Sequence, residues 1–218
     1  MLTARANREA DLFWSTPEVG FHERLPVTDE LPVAMDLWRE RMRAHADAAC
    51  VHVTVDEDGS HLFALPFVPA EIARERERFG AYATRTMGGN LLGDLVQEEV
   101  RKQVRIVAID AEAVAMVPFG ARAPYQLLLA PRTPRMRFED EGPTGAALLG
   151  DLLGRLERRL HSPRVTLWVR TAPRGAEHFC WRIDILPQLT PPGGLELGTG
   201  LSLNAVSPEQ AAAELRDA

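Results

Sequence analysis

Lysine is almost missing from this 218-residue chain. Lys102 is the only one, so 24 of the 25 basic residues are arginine, a bias that points to a GC-rich genome more than to an activity. Cysteine is scarce as well. Cys50 and Cys180 form no Cys-x-x-Cys pair, which excludes a disulfide scaffold or a zinc ribbon and fits a reducing cytoplasm. No apolar run approaches the roughly 18 residues of a membrane span. The first residues, with Arg5, Arg8, Glu9 and Asp11, lack the apolar core of a signal peptide, so we expect a cytoplasmic protein without a membrane partner. There is no excess of positive charge either. A formal net charge of −6 gives no reason to expect nucleic-acid binding. Internal repeats and low-complexity blocks are also absent.

What remains is the composition of an ordinary globule, 45% hydrophobic and 26% charged, long enough for one large domain or two small ones sharing a sheet. Residues 17–28 read as extended. From Leu31, an apolar stripe of Ala34, Leu37, Trp38 and Met42 predicts a helix. Cys50–Val55 and His61–Phe67 alternate on either side of the turn Asp56-Glu57-Asp58-Gly59-Ser60 and predict a hairpin. A charged helix is expected over Ala70–Thr84, with Glu71 facing Arg74 and Glu75 facing Arg78 at i,i+3 spacing. Gly88-Gly89-Asn90 breaks the chain and divides it into halves at 1–87 and 88–218. Beyond it, a helix over Leu91–Arg101 precedes strands at Arg105–Ile109, Ala113–Val117 and Tyr125–Ala130. A leucine-striped helix near Gly145–Leu160 and strands at Val165–Arg170 and Phe179–Leu186 complete the pattern. Strands outnumber helices and join by turns or single helices, which predicts an antiparallel α+β fold.

The stretch from His178 to Pro187 carries the most chemistry. Strict alternation sets His178, Cys180, Arg182 and Asp184 on one face, about 7 Å apart in succession, and Phe179, Trp181, Ile183 and Ile185 on the other. Downstream lies Pro191-Pro192-Gly193-Gly194-Leu195-Glu196-Leu197-Gly198-Thr199-Gly200.

Together these segments resemble the C-terminal part of the galactose-1-phosphate uridylyltransferase family, in the histidine-triad superfamily. The resemblance extends over roughly 18–215, through Leu65–Pro69, Asn90–Leu95 with Glu98-Glu99, Arg105–Ala108, Val117–Phe119 with Ala121-Arg122, Pro124–Gln126 and Ser207–Ala212. It implies antiparallel sheets of two histidine-triad-like halves with flanking helices. It also implies a homodimer that binds a nucleotide or nucleotide sugar. The family's N-terminal segment with its zinc-binding Cys-x-x-Cys is expected to be missing. Members transfer UMP between sugar phosphates through a histidine nucleophile in a His-Pro-His-x-Gln loop. Here that place holds Glu57-Asp58-Gly59-Ser60-His61, with Gly59 where the nucleophile would stand and His61 one register away. A glycine has no side chain with which to form a covalent intermediate. The family's metal ligands fall at Glu75, Pro134, Cys180 and Arg182, and of these only Glu75 keeps its character. An arginine is always protonated and repels a divalent cation. We therefore expect neither metal nor other cofactor.

Two functional readings follow. One is a catalytically degenerate homologue that retains nucleotide or nucleotide-sugar binding through Arg182, Asp184, Glu196, Gly198, Thr199 and Gly200. The other is an active nucleotidyltransferase or nucleotide hydrolase with a rearranged site that uses His61 as nucleophile and Arg182 to hold phosphate. A weaker third is a structural subunit that pairs with an intact homologue. Each residue also has a plainer reading, which for Arg182 and Asp184 we put first. These two would form a half-buried ion pair worth little to stability, unless the guanidinium takes the metal's place and bridges to Glu75. Cys180 would be a small buried hydrophobe. The glycine-rich segment would be a turn-rich connector entering a last strand. His22, His45, His161 and His178 have no partner at ligand spacing, and His52 reads as a satisfied sheet residue.

Overall fold

A computed structural model describes residues 20–218 except 29, 141 and 192. The expected extended segment at 17–28 lies partly outside them. The order is β1 (Phe21–Arg24), α1 (Leu31–Ala44), β2 (Cys50–Asp56), β3 (Gly59–Leu65), α2 (Ala70–Arg85), α3 (Leu91–Lys102) and β4 (Ile106–Ile109). Then come β5 (Ala113–Met116), β6 (Leu127–Pro131), α4 (Ala146–Leu160), β7 (Val165–Arg170), β8 (Arg182–Pro187), α5 (Gly194–Thr199) and α6 (Pro208–Arg216). The strands form one antiparallel eight-stranded sheet in the order β1-β3-β2-β7-β8-β6-β5-β4. The α+β class is as the strand pattern implies, with a single sheet where the resemblance implied several. Residues 1–87 and 88–218 both contribute, and β2 pairs with β7 across that division.

Alternation along the central strands sorts the core into two layers. Ala113, Ala115, Leu127, Leu129, Leu167, Val169, Ile183 and Ile185 face the larger cluster, covered by Met35, Trp38 and Met42 of α1, Leu149, Leu152 and Leu156 of α4, and Leu215 of α6. Val114, Met116, Leu128 and Ala130 face the smaller one, under Phe79 of α2 and Leu92 and Val96 of α3. Strand β6 is buried on both faces, hence its unbroken run Leu127-Leu128-Leu129-Ala130. Asn90 explains why α3 starts where it does. Its Oδ1 accepts from Gly93 N at 2.9 Å as an N-cap, while its Nδ2 donates to Phe179 O at 2.9 Å.

Three local expectations change. The strand starts at Arg182, not Phe179, and the three residues before it belong to no strand. Phe179 therefore shares the smaller cluster with Cys180 and stacks on Phe79 at 4.8 Å, whereas Trp181 lies in the larger cluster, edge-on to Phe138 at 5.2 Å. Glu71 pairs with Arg74 at 2.6 Å as spaced, but Glu75 turns to the sheet and pairs with Arg182 in place of Arg78. The glycine-rich segment forms α5 and leads into helix α6, capped by Ser207 Oγ accepting from Gln210 N at 3.2 Å, with no last strand.

Helix glycines usually weaken a helix by about 0.5–1 kcal/mol relative to alanine. Gly93 should invert that rule, because an added Cβ would stand 2.4 Å from Cγ of the stiff Pro134 ring. We expect Gly93→Ala to lower stability by about 1–3 kcal/mol through overpacking. Gly80→Ala in α2, which meets nothing within 4 Å, should raise it slightly. Urea unfolding of the two variants checks the opposite signs.

Candidate ligand groove beside a buried charge cluster

Strand β7 shows Thr166, Trp168 and Arg170 on the α2 side of the sheet, in register with Leu186, Asp184 and Arg182 of β8. Arg170 lies directly opposite Arg182, and like charges so placed are destabilising unless they are countered. Two carboxylates counter them. Arg182 Nε donates to both Asp184 oxygens at 3.2 and 3.0 Å, and its Nη1 donates to Glu75 of α2. Arg170 Nε stands 3.9 Å from Glu75 and 4.0 Å from Asp184. All four side chains are less than one-fifth exposed. Burial works against the charge on Arg182, but Asp184 and Glu75 outweigh it and hold its pKa above the ordinary arginine value.

This cluster floors an open groove of about 400 Å³, whose lining includes Trp168, Arg170, Arg182 and Asp184 from the sheet. Glu71 of α2, Arg122 and Gln126 before β6, and Glu196 with Ser202 near α5 complete its polar walls. Two smaller cavities adjoin it through Glu71 and Arg170, one of about 290 Å³ with His52 and Thr54, another of about 170 Å³ with Glu75 and Arg122.

The sequence candidates separate in this frame. Arg182, Asp184 and Glu196 line the groove together. Gly198, Thr199 and Gly200 are not part of that lining. Thr199 Oγ1 donates to Leu195 O at 2.6 Å, and Gly200 ends α5 with φ +72°. His61 stands on β3 in the row His61–Thr54–Trp168–Asp184, three strand spacings or about 14 Å from β8 at the backbone. Its Nδ1 shares a hydrogen bond with His22 Nε2 at 3.1 Å. Arg122, which the sequence offered only as part of the family resemblance, and Arg170 and Trp168 were not among the sequence candidates for a site. For the last two a signal existed, since alternation in Val165–Arg170 sets Thr166, Trp168 and Arg170 on one polar face.

The four positions where the resemblance sets metal ligands do not fit a divalent cation. Glu75 and Arg182 bind each other. Cys180 is buried, its Sγ 3.6 Å from Trp181 O, and burial pushes its thiol up to about 11, away from the thiolate a metal needs. Pro134 has no ligating atom in its side chain and packs its ring on Gly93. Among the described residues no group of three or more His, Cys, Asp or Glu could hold a metal ion.

No protein-family model matches the chain. It is 25% identical to an ADP-glucose phosphorylase of Arabidopsis thaliana over 178 residues, covering 78% of this chain and 49% of that protein. It is 26% identical to a galactose-1-phosphate uridylyltransferase of Cryptococcus neoformans over 266 residues, covering 99% of this chain and 70% of the other. The chain is a divergent relative of the galactose-1-phosphate uridylyltransferases. It spans about half the length of the Arabidopsis relative. The fold agrees. The crystal structure of an ADP-glucose phosphorylase from Arabidopsis thaliana with bound ADP-glucose superposes with a TM-score of 0.78 at 20% identity, covering 94% of this chain and 80% of that one. Set against the ligand set that the resemblance implies, this uridylyltransferase relative has a tethered guanidinium between the same helix and strand.

Removing one partner of a buried ion pair is costlier than removing both, because the survivor is left charged and dry. Arg182→Met should cost about 3–5 kcal/mol, and the double variant with Glu75→Gln should recover part of that loss. Chemical denaturation of the two single variants and the double variant reads the coupling, and additive losses would show that the pair does not act as one unit.

His52 gives a pH dependence. Burial, then the nearby Arg170 charge, lower its pKa to about 4 from the ordinary value of 6.5. The unfolded chain then binds the proton first, so stability is full above about pH 6.5 and declines as pH falls toward 4. In His52→Gln that contribution should vanish. Urea midpoints from pH 7 to pH 4.5 should converge between the two proteins, and a constant gap would clear His52 of the effect.

Proposed function

We propose that this chain is a catalytically degenerate uridylyltransferase homologue that holds a nucleotide or nucleotide sugar in the groove beside Arg182. The observation that carries this reading is the groove itself. Its volume of about 400 Å³ lies within the roughly 300–1,000 Å³ of small-molecule sites, and it combines an aromatic wall with convergent charged groups. The ADP-glucose bound to a protein of the same fold supports the ligand class. Degeneracy follows from the hairpin tip, where Gly59 takes φ +112° at the place the resemblance gives the nucleophile. No side chain at Gly59 can take up a nucleotidyl group.

The rearranged site using His61 and Arg182 fits less well. His61 is engaged with His22, three strands from β8, and the Arg182 fork is turned to Asp184 and Glu75. One phosphoryl group would have to reach both.

Calorimetry against UDP-glucose, ADP-glucose and UMP should show binding at micromolar concentration. A transfer assay with UDP-glucose and galactose 1-phosphate should show no turnover in the native protein or in His61→Ala. Turnover that His61→Ala abolishes would replace this reading with the rearranged enzyme. Absence of binding to all three ligands would end the nucleotide-sugar reading.

A further inference from the structure

The three guanidiniums of the groove differ in what they have left to give. Arg182 is committed, with Nε on Asp184 and Nη1 on Glu75. Arg170 is not. Its Nε is buried without a hydrogen-bond partner, and the carboxylates at 3.9 and 4.0 Å attract it from beyond bonding range. Arg170 lines the groove and both adjoining cavities, so it meets whatever enters. Arg122 is freer still. Its exposed side chain lines two of the three spaces and, among the described residues, makes no hydrogen bond or ion pair within 4 Å. Of the remaining acids of the groove, Glu71 attracts Arg122 only from beyond ion-pair distance. Glu71 is held by Arg74 at 2.6 Å, and Glu196 accepts from the backbone nitrogens of Gly193 and Leu203.

A buried guanidinium nitrogen without an acceptor is costly. Planar N–H forks converging on one space match the oxygens of a phosphate better than any uncharged group. We infer that Arg122 and Arg170 form the phosphoryl grip of the groove, the pair that receives the phosphate or diphosphate of an anionic ligand. This rests on the reading of the groove as a nucleotide-sugar site, and it assigns the charged part of that ligand to a wall. Arg182 then has a different task from Arg170, directly opposite it on β7: it holds α2 in place so that Arg170 stays open to the ligand.

Inorganic pyrophosphate and UDP-glucose are the probes, titrated by calorimetry into the native protein and into Arg122→Ala, Arg122→Lys and Arg170→Met, each checked for native circular dichroism. Arg122→Ala should weaken both probes by roughly tenfold to a hundredfold, the loss of charge-assisted bonds, with Arg122→Lys recovering part. Arg122 is exposed, so its replacement tests the grip even where Arg170→Met disturbs the fold. Pyrophosphate binding that depends on Arg122 without any UDP-glucose binding would keep the grip and remove the nucleotide-sugar reading. UDP-glucose bound equally by native protein and Arg122→Ala would remove the grip and keep that reading. Native protein that binds no pyrophosphate at millimolar concentration overturns the grip.

Discussion

The contact between Arg182 and Glu75 decides how this molecule is arranged, because it joins helix α2 to the polar part of the sheet. A face carrying His52, Thr54, Trp168, Arg170, Arg182 and Asp184 offers little for an apolar helix to bury. Helix α2 meets it with mixed chemistry, Ile72, Phe79 and Ala83 buried and Glu75 turned to the arginines. Its rotation is thus set by charge pairing as much as by packing. Phe79 leads into the second core layer, and Glu71 at the other end of the helix opens onto the groove. Buried ion pairs give modest net stability but penalise any arrangement that leaves one partner alone. Here that penalty selects a single seat for α2.

The same contact lies where the family resemblance sets metal ligands. A metal offers exchangeable coordination positions and needs deprotonated ligands. A guanidinium offers fixed donors in one plane and carries its charge on a covalent tether. The Arg182 guanidinium keeps a positive centre between α2 and β8 and offers none of the exchangeable positions of a metal. Cys180 is likewise suited to packing, buried in a cluster of aromatic and aliphatic neighbours that pushes its thiol up to about 11.

Much of the fold was legible because its signals are local. The hairpin of β2 and β3, the leucine stripe of α4 and the apolar run of β6 are each contained within a few residues. The misjudged elements depend on distant partners. Glu75 could choose between Arg78, three residues away, and Arg182, 107 residues away, and periodicity sees only the first. Phe179 left its expected face because Asn90 binds its carbonyl and Phe79 stacks on its ring, neither of which alternation can register. Arg122 stood only within the family resemblance and carried no local mark of a binding role, since its place in the groove comes from the loop ahead of β6 meeting the β7–β8 surface. Helix α6 was the avoidable omission, for Ser207-Pro208-Glu209 carries the cap, the first-turn proline and the early acid of a helix start.

The scarcity of lysine acquires a meaning in the groove. Every cation lining it is an arginine, and Lys102 sits on α3, held by Glu98 at 2.6 Å. Arginines do not deprotonate at physiological pH, and they present no amine for acetylation or Schiff-base formation. The positive side of the groove is therefore a constant. Near neutral pH its occupancy can respond through the second ionisation of a phosphate near pH 6, since His52 in the adjoining cavity stays neutral until about pH 4. The surface can attract an anion continuously, but its own cations cannot let go by titration, so release is left to the shape and charge of the ligand.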